Sequence, residues 1–328
     1  MLLIATNKAD LTTDYLVLKL HERSIPFIRF NTEDLYYKAA IEIELSSTKD
    51  SVTLDYLGKN INIKNIDGVY FRRPLPPDLK PVIHEQDLEF AERELLETLT
   101  GFWRLIKTTR WMNHPKFLFL AKNKIEQLKI AKDIGFKIPN TLISSNKEKI
   151  KKFFEDNNCI IGKAVKHGFY AQKDLVKIAL TKELTENQIE ELEAYASIPM
   201  IYQTKINKFY DLRITVIGDK VFPTALYSQE HAISKIDWRS WDLEEKFDLK
   251  HQRVNIPKHI SEKCIAITKY FNLNFSAIDM IFTDEKDYVF LELNPNGQWA
   301  WLEEKVGYPL RDSIIDFLMG EKLNGDRY

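Results

Sequence analysis

One run, from Tyr288 through Glu292, Asn294, Pro295, Asn296 and Gly297 to Trp299, constrains this chain more than any other stretch. It reads as a strand that ends in a polar cluster. Side chains alternate across a strand, so Val289, Leu291 and Leu293 point one way and Phe290, Glu292 and Asn294 the other. A carboxylate and an amide two residues apart at a strand end are oxygen donors of the kind hard Mg²⁺ prefers. Just upstream, residues 274–282 read as a second strand carrying one acid, Asp279, and the polar residues 283–287 turn the chain between the two. An even hairpin loop places Asp279 on the face of Glu292 and Asn294, whereas an odd loop without a bulge places it on the opposite face. Three solvated polar groups on an edge hairpin fit the same letters, so the rest of the chain has to decide.

At 328 residues the chain exceeds one typical core, and two or three packed subdomains are expected. Net charge is −1 with a sequence pI near 6.7, which gives no bulk electrostatic case for nucleic acid or a membrane surface. Cys159 and Cys264 lie far apart in apolar contexts and read as core fillers in a reducing compartment, without zinc spacing. The opening residues lack the pattern of a signal peptide, and no apolar run approaches membrane-spanning length. A soluble cytoplasmic protein is the expectation.

The first third alternates strand and helix: strand 2–5, helix 13–23 and strand 26–31. A hairpin over 41–45 and 52–57 follows, then a strand at 67–74 stopped by prolines, then a long amphipathic helix at 85–106. This is the alternation of an open α/β layer, giving way to α+β later in the chain. No G-x-G-x-x-G follows the first strand and no P-loop motif occurs, which excludes both common phosphate-binding signatures. The middle reads as helix 122–135 capped by Gly135, strand 138–143, helix 147–154 and strand 159–165 with Gly168 in the turn beyond. An acidic helix at 185–196 opens on a Thr185/Gln188 capping pair. Strands at 200–206, 211–217 and 221–227 come next, then a polar segment at 228–249, helix 261–271, the hairpin and a helix at 311–319.

Several residues have the chemistry to act on phosphate. Lys124 and Lys163 flank a small helix-and-strand unit, and Lys163 stands at a strand end between Gly162 and Gly168. A lysine aimed from a strand beside a glycine turn suits neutralisation of a nucleotide's charge, although plain surface lysines fit too. The segment Met200 to Ile206 has the apolar entry and polar centre of a strand that offers backbone groups to an adenine edge. Asp211 and Arg213 share a strand face, and arginine can clamp a phosphate or acyl phosphate with two bonds; a structural ion pair is the alternative. Arg72 and Arg73 sit at a strand terminus, where α/β sheets open their ligand crevice, and only one of them can face it. His114 and His167 receive no role.

Taken in order, these segments resemble a known series. They are Tyr70 to Pro74, Asn113 to Pro115, Lys124 to Lys129, Gly135 to Thr141, Lys163, Tyr202 to Ile206, Asp211 to Val216, Ser228 with Asp237 to Arg239, Ala277 to Ile281, and Glu292 to Trp299. The series resembles the ATP-grasp ligases, and within them the graspetide synthetases that cyclise ribosomally made precursor peptides. The resemblance implies an ATP-grasp fold with an N-terminal open α/β domain (1–115), a central lid subdomain (116–200) and a C-terminal domain (201–328). It implies ATP and Mg²⁺ as cofactors, a precursor peptide of leader plus core as partner, and a homodimer. Lys124 and Lys163 match the phosphate lysines, Gln203, Thr204, Lys205 and Ile206 the adenine linker, and Arg213 the phosphate-side arginine. Asp279, Glu292 and Asn294 match the metal ligands, with Arg213 and Lys163 catalytic and Arg72, Arg73, Asp211 and Arg239 on the substrate side. Leader recognition falls on the helix 185–196 and the strand before it. Thr204 departs from relatives that often carry an acid there, and the lid is poor in glycine.

The implied reaction activates a side-chain carboxylate of the peptide as an acyl phosphate, which a hydroxyl or amine of the same peptide attacks to give an ester or amide. Two other readings stay open at this stage: a ligase that joins separate small molecules, and an inactive peptide-binding homologue.

Overall fold

The computed structural model describes residues 1–157, 159–166, 169–172, 175–178, 181–190, 198–239 and 249–320. Gly168, His167 and the second half of the expected acidic helix lie outside the described residues. The chain divides into two compact units. One comprises Met1–Phe119, Asn272–Phe275 and Pro295–Tyr328; the other comprises Leu120–Phe271 and Ser276–Asn294.

In the first unit, the strand Leu2–Thr6 is buried along its whole length, as a strand covered on both faces must be. It pairs in parallel with Phe27–Asn31 on one side and Gly68–Phe71 on the other, and the short strand Trp111–Met112 completes the sheet. Asp10 caps the helix Leu11–Glu22 by accepting from the Thr13 amide. Phe30, Phe102, Trp103 and Trp111 fill the core under the sheet. The helix Glu85–Leu105 buries only Leu99, Phe102 and Trp103, all near its C-terminal end. The expected hairpin gains a third strand, Lys59–Asn62, because Leu57 and Gly58 both take left-handed φ in a tight turn. That polar four-residue strand carries no alternation to announce it.

Asn113 organises this unit's interior. Its Nδ2 donates to the carbonyls of Phe275 and Pro295 at 2.8 Å each, and its Oδ1 accepts from the amides of Asn274 and Phe275. One side-chain amide thus meets its full capacity of four bonds.

The second unit holds two larger sheets. The four-stranded one runs Lys182–Glu183, Ile160–Lys163, Met200–Thr204, Thr141–Ser144. The five-stranded one runs His251–Arg253, Lys220–Leu226, Tyr210–Ile217, Phe275–Phe282, Tyr288–Asn294. Helix Lys124–Ile134 is capped by Asn123 at its start and by Gly135, φ 91°, at its end. Gln127, on that helix, donates to the Leu293 carbonyl at 2.7 Å and accepts from the Leu293 amide at 2.8 Å, fixing the end of the last strand. A separate two-stranded antiparallel pair, Phe169–Gln172 with Leu175–Ile178, is one the sequence pattern does not announce. Among the described residues no helix is long and apolar enough to cross a membrane.

Candidate functional site

The hairpin answers the question of parity in an unexpected way. Phe282 pairs with Tyr288, so the loop of residues 283–287 is odd and by itself would put Asp279 on the wrong face. Met280 pairs with Phe290 but Asp279 pairs with Glu292, which leaves Leu291 as the extra residue of a β-bulge. The bulge restores the face, and the two carboxylates stand directly opposite each other. It also corrects the expectation that Leu291 points away from Glu292, since both line the same cavity. Asn294 lies two residues beyond, opposite Ala277, at the exposed strand end.

That cavity, about 100 Å³, draws its walls from both sheets of the second unit. Of the residues singled out from sequence, Lys124, Lys163, Thr204, Ile206, Asp211, Arg239, Asp279 and Glu292 line it. Strand alternation turns the other linker side chains away. Gln203 is fully buried and donates to Thr141 Oγ1 at 2.9 Å, and Lys205 pairs with Glu183 at 2.6 Å. Arg213 is not a lining residue either. Its Nη1 reaches both Asp279 oxygens at 2.8 Å, and its buried Nε has no hydrogen-bond partner.

Electrostatics at the cavity are tightly linked. Lys124 Nζ lies 2.8 Å from Glu292 Oε2. Burial alone would raise the Glu292 carboxyl, but Lys124, Lys163 and Arg239 overcome it and hold it at about 2. Burial pushes Asp279 up; Arg213 opposes this while Glu292 adds repulsion, and the net effect is upward. Burial lowers the Lys163 ammonium to about 8 even though Glu292 favours its charge. Asp211 is likewise raised by burial against the pull of Lys208 and Ser228. Arg239 is held protonated by its bidentate grip on Asp237, at 2.9 and 2.7 Å.

No cluster of three His, Cys, Asp or Glu side chains occurs among the described residues. Asp279 and Glu292 are facing oxygen donors, which fits Mg²⁺, since it commonly takes one or two carboxylates together with substrate phosphates; Asn294 is not among the residues that line the cavity. Like charges held side by side, with Asp279 raised by burial and further by Glu292, would be relieved by a divalent cation.

Arg72 is not one of this cavity's lining residues. It is 2% exposed in the first unit, where Nη1 donates to Gly297 O at 3.1 Å and Asn296 Oδ1 at 3.3 Å. Nε lies 3.5 Å from Asp10, whose carboxylate also accepts from Thr6 and Thr13. As placed, this guanidinium meets acceptors of its own unit and is closed to solvent. Arg73 is exposed. Sequence reasoning also missed Lys208, which lines the cavity beside Asp211; its only signal was a spacing of three residues before that acid.

Comparison with known proteins agrees with the geometry. Residues 121–318 match the RimK-like ATP-grasp domain, and residues 1–117 the MvdD pre-ATP grasp domain. The chain is 28% identical, at a TM-score of 0.89, to a RiPP-associated ATP-grasp ligase of Chryseobacterium gregarium solved with ADP and a leader and core peptide, covering 98% of this chain and 97% of that one. It is 25% identical, at a TM-score of 0.83, to the macrocyclase MdnC of Microcystis aeruginosa bound with precursor peptide MdnA, covering 98% and 99%. A curated relative, the alpha-aminoadipate–LysW ligase LysX of Sulfurisphaera tokodaii, is 21% identical over 188 residues, or 56% of this chain. The chain spans 62% of the length of that relative. With one domain model matched over more than half its length, this chain belongs to the RimK-like ATP-grasp family.

Proposed function

We propose that the protein is an ATP- and Mg²⁺-dependent macrocyclase of a ribosomally made precursor peptide. One observation carries the reading. The Asp279–Glu292 cross-strand pair opens on a cavity with Lys124 and Lys163, in a chain that is similar from end to end to peptide-bound ligases.

Asp279, Glu292 and Asn294 hold the metal, which when bound supplies charge neutralisation for the transferring phosphoryl group. Lys124 and Lys163 neutralise phosphate oxygens from two elements of the same unit. Thr204 and Ile206, with the backbone of residues 203–206, meet the adenine. Arg213 acts from behind the cavity wall by fixing the Asp279 carboxylate. Asp211 and Arg239 face the peptide, and the exposed Arg73 is the surviving substrate candidate of the arginine pair.

A peptide carboxylate is a poor electrophile, so ATP first converts it to an acyl phosphate. A hydroxyl or amine of the same peptide then attacks the acyl carbon and phosphate leaves. Holding both groups of one chain at the cavity makes ring closure effectively unimolecular. Residues 1–115, 116–200 and 201–328 are assigned as pre-ATP-grasp, lid and C-terminal domains. Leader recognition is assigned to residues 185–196, of which Glu186–Glu190 are seen as helix. A cytoplasmic homodimer completes the proposal.

Co-expression with a candidate precursor peptide, followed by mass spectrometry, tests it. Loss of one water per ring, dependent on ATP and Mg²⁺, is the expected result. Joining of a free amine or amino acid instead would identify a small-molecule ligase, and no ATP turnover an inactive binder. Light scattering reads the dimer.

A further inference from the structure

Another ion pair stands in the cavity wall, and the roles above leave its lysine unused. Lys208 and Asp211 are 9% and 4% exposed, and Lys208 Nζ donates to Asp211 Oδ2 at 2.7 Å. The same ammonium reaches the Ile236 carbonyl at 3.3 Å. Ser228, fully buried, gives its hydroxyl hydrogen to the same Oδ2. Ser228 is itself fixed, since Ser234 Oγ donates to its carbonyl at 2.7 Å and Gln229 Nε2 to its hydroxyl at 3.2 Å. Both donors therefore converge on one carboxylate oxygen, and neither is spent on Oδ1. Lys208 and Asp211 line the cavity together with Lys163, Asp279 and Glu292.

A buried ion pair is a poor stabilising device, because desolvation offsets most of the attraction. Two donors on one oxygen do something else. They fix the plane of the carboxylate and favour its ionised form against the upward pull of burial, and neither of them occupies the other oxygen. A proton acceptor in a transfer step needs both that orientation and that charge.

We propose that Lys208, assisted by Ser228, is a positioning residue for Asp211, and that Asp211 takes up through Oδ1 the proton of the attacking peptide hydroxyl or amine. The inference rests on the ligase reading above. In the step, the nucleophile's oxygen or nitrogen bonds to the acyl carbon. The bond from that carbon to the phosphate oxygen breaks, its electron pair leaves with phosphate, and the nucleophile's proton goes to Asp211. Activation of the carboxylate, the earlier half of the reaction, does not need Lys208.

The two halves can be read separately on a precursor that the wild-type protein dehydrates with ATP. Hydroxylamine traps the acyl phosphate as a hydroxamate, and mass spectrometry counts hydroxamates and rings. Lys208→Met is expected to lower kcat for ring closure by about a hundredfold or more, the scale of a positioned base, with peptide KM and hydroxamate yield changed by about threefold or less. Lys208→Arg, which keeps a charged donor, should recover part of the lost kcat. Parallel loss of hydroxamate and rings in Lys208→Met, or unchanged ring closure, overturns the proposal. If Lys208→Met does not fold, Ser228→Ala decides. Ring closure is then expected to fall about tenfold with hydroxamate retained, and an equal fall in both overturns the inference. Absence of any ATP-dependent hydroxamate from the wild-type protein would instead remove the ligase reading itself.

Discussion

Arg72 and Arg213 are both buried, at 2% and 5% exposure, one in each unit of the molecule, yet they carry their charge in different company. Arg72 is surrounded by acceptors belonging to its own unit: Asp10, a backbone carbonyl, and the side chains of Asn296 and Gln298. Arg213 meets a carboxylate that itself borders a cavity; Nε has no hydrogen-bond partner in either arginine, so the contrast lies in where their acceptors stand. The first arrangement is closed, and its charge serves architecture. The second is open, and the neutralised acid beside it remains available to a cation or a substrate. Burial of an arginine thus says little about function until its partners are followed one step further.

The largest effect that would test this contrast is at Glu292. Glu292→Gln removes one of the two facing anionic donors, and ATP- and Mg²⁺-dependent water loss is expected to fall by about a thousandfold or more. Binding of the isolated leader, followed by fluorescence anisotropy, should barely change. Retained water loss would remove the metal assignment. Next comes Arg72→Met, which removes a buried positive charge beside Asp10 and leaves that carboxylate only the Thr6 and Thr13 donors in a closed interior. Breaking such a pair is expected to cost about 3–5 kcal/mol in urea denaturation. A loss of activity without a loss of stability would return Arg72 to the substrate side.

Arg213→Ala should act through Asp279. Without its guanidinium the raised carboxyl rises further, so kcat should drop by about ten- to a hundredfold and more Mg²⁺ should be needed, while ADP affinity shifts by about threefold or less. Equal losses in turnover and nucleotide affinity would make Arg213 a binding residue. The smallest effect is a pH dependence. Because burial lowers Lys163 to about 8, its charge is present below that pH and is lost above it. Bound phosphate favours the charged form, so binding takes up a proton above pH ~8 and ADP affinity weakens there, by several-fold at about pH 9. Lys163→Met should abolish this slope, and calorimetry in buffers of different ionisation enthalpy measures it. A wild-type slope that begins only near the ordinary lysine range would show that Lys163 is not desolvated in solution.

Much of this protein can be read from its letters alone. The β–α alternation of the first third, Gly135 as a helix cap, the Asp211/Arg213 strand face and the order of motifs from Tyr70 to Trp299 are local properties. They depend on periods of two and 3.6 residues and on the φ that glycine permits. Other features needed the folded chain. Whether Asp279 faces Glu292 depended on one bulged residue, Leu291, cancelling an odd loop, and no local pattern shows which strand will bulge. Lys208 looked like any other lysine until the chain placed it against Asp211 and Ser228. Arg72 looked like a ligand-facing arginine until Asp10, Asn296 and Gln298, distant in sequence, closed around it. Sequence fixes each side chain relative to its own strand or helix; which of those faces meets a cavity and which meets a core is set by register and packing between segments far apart in the chain.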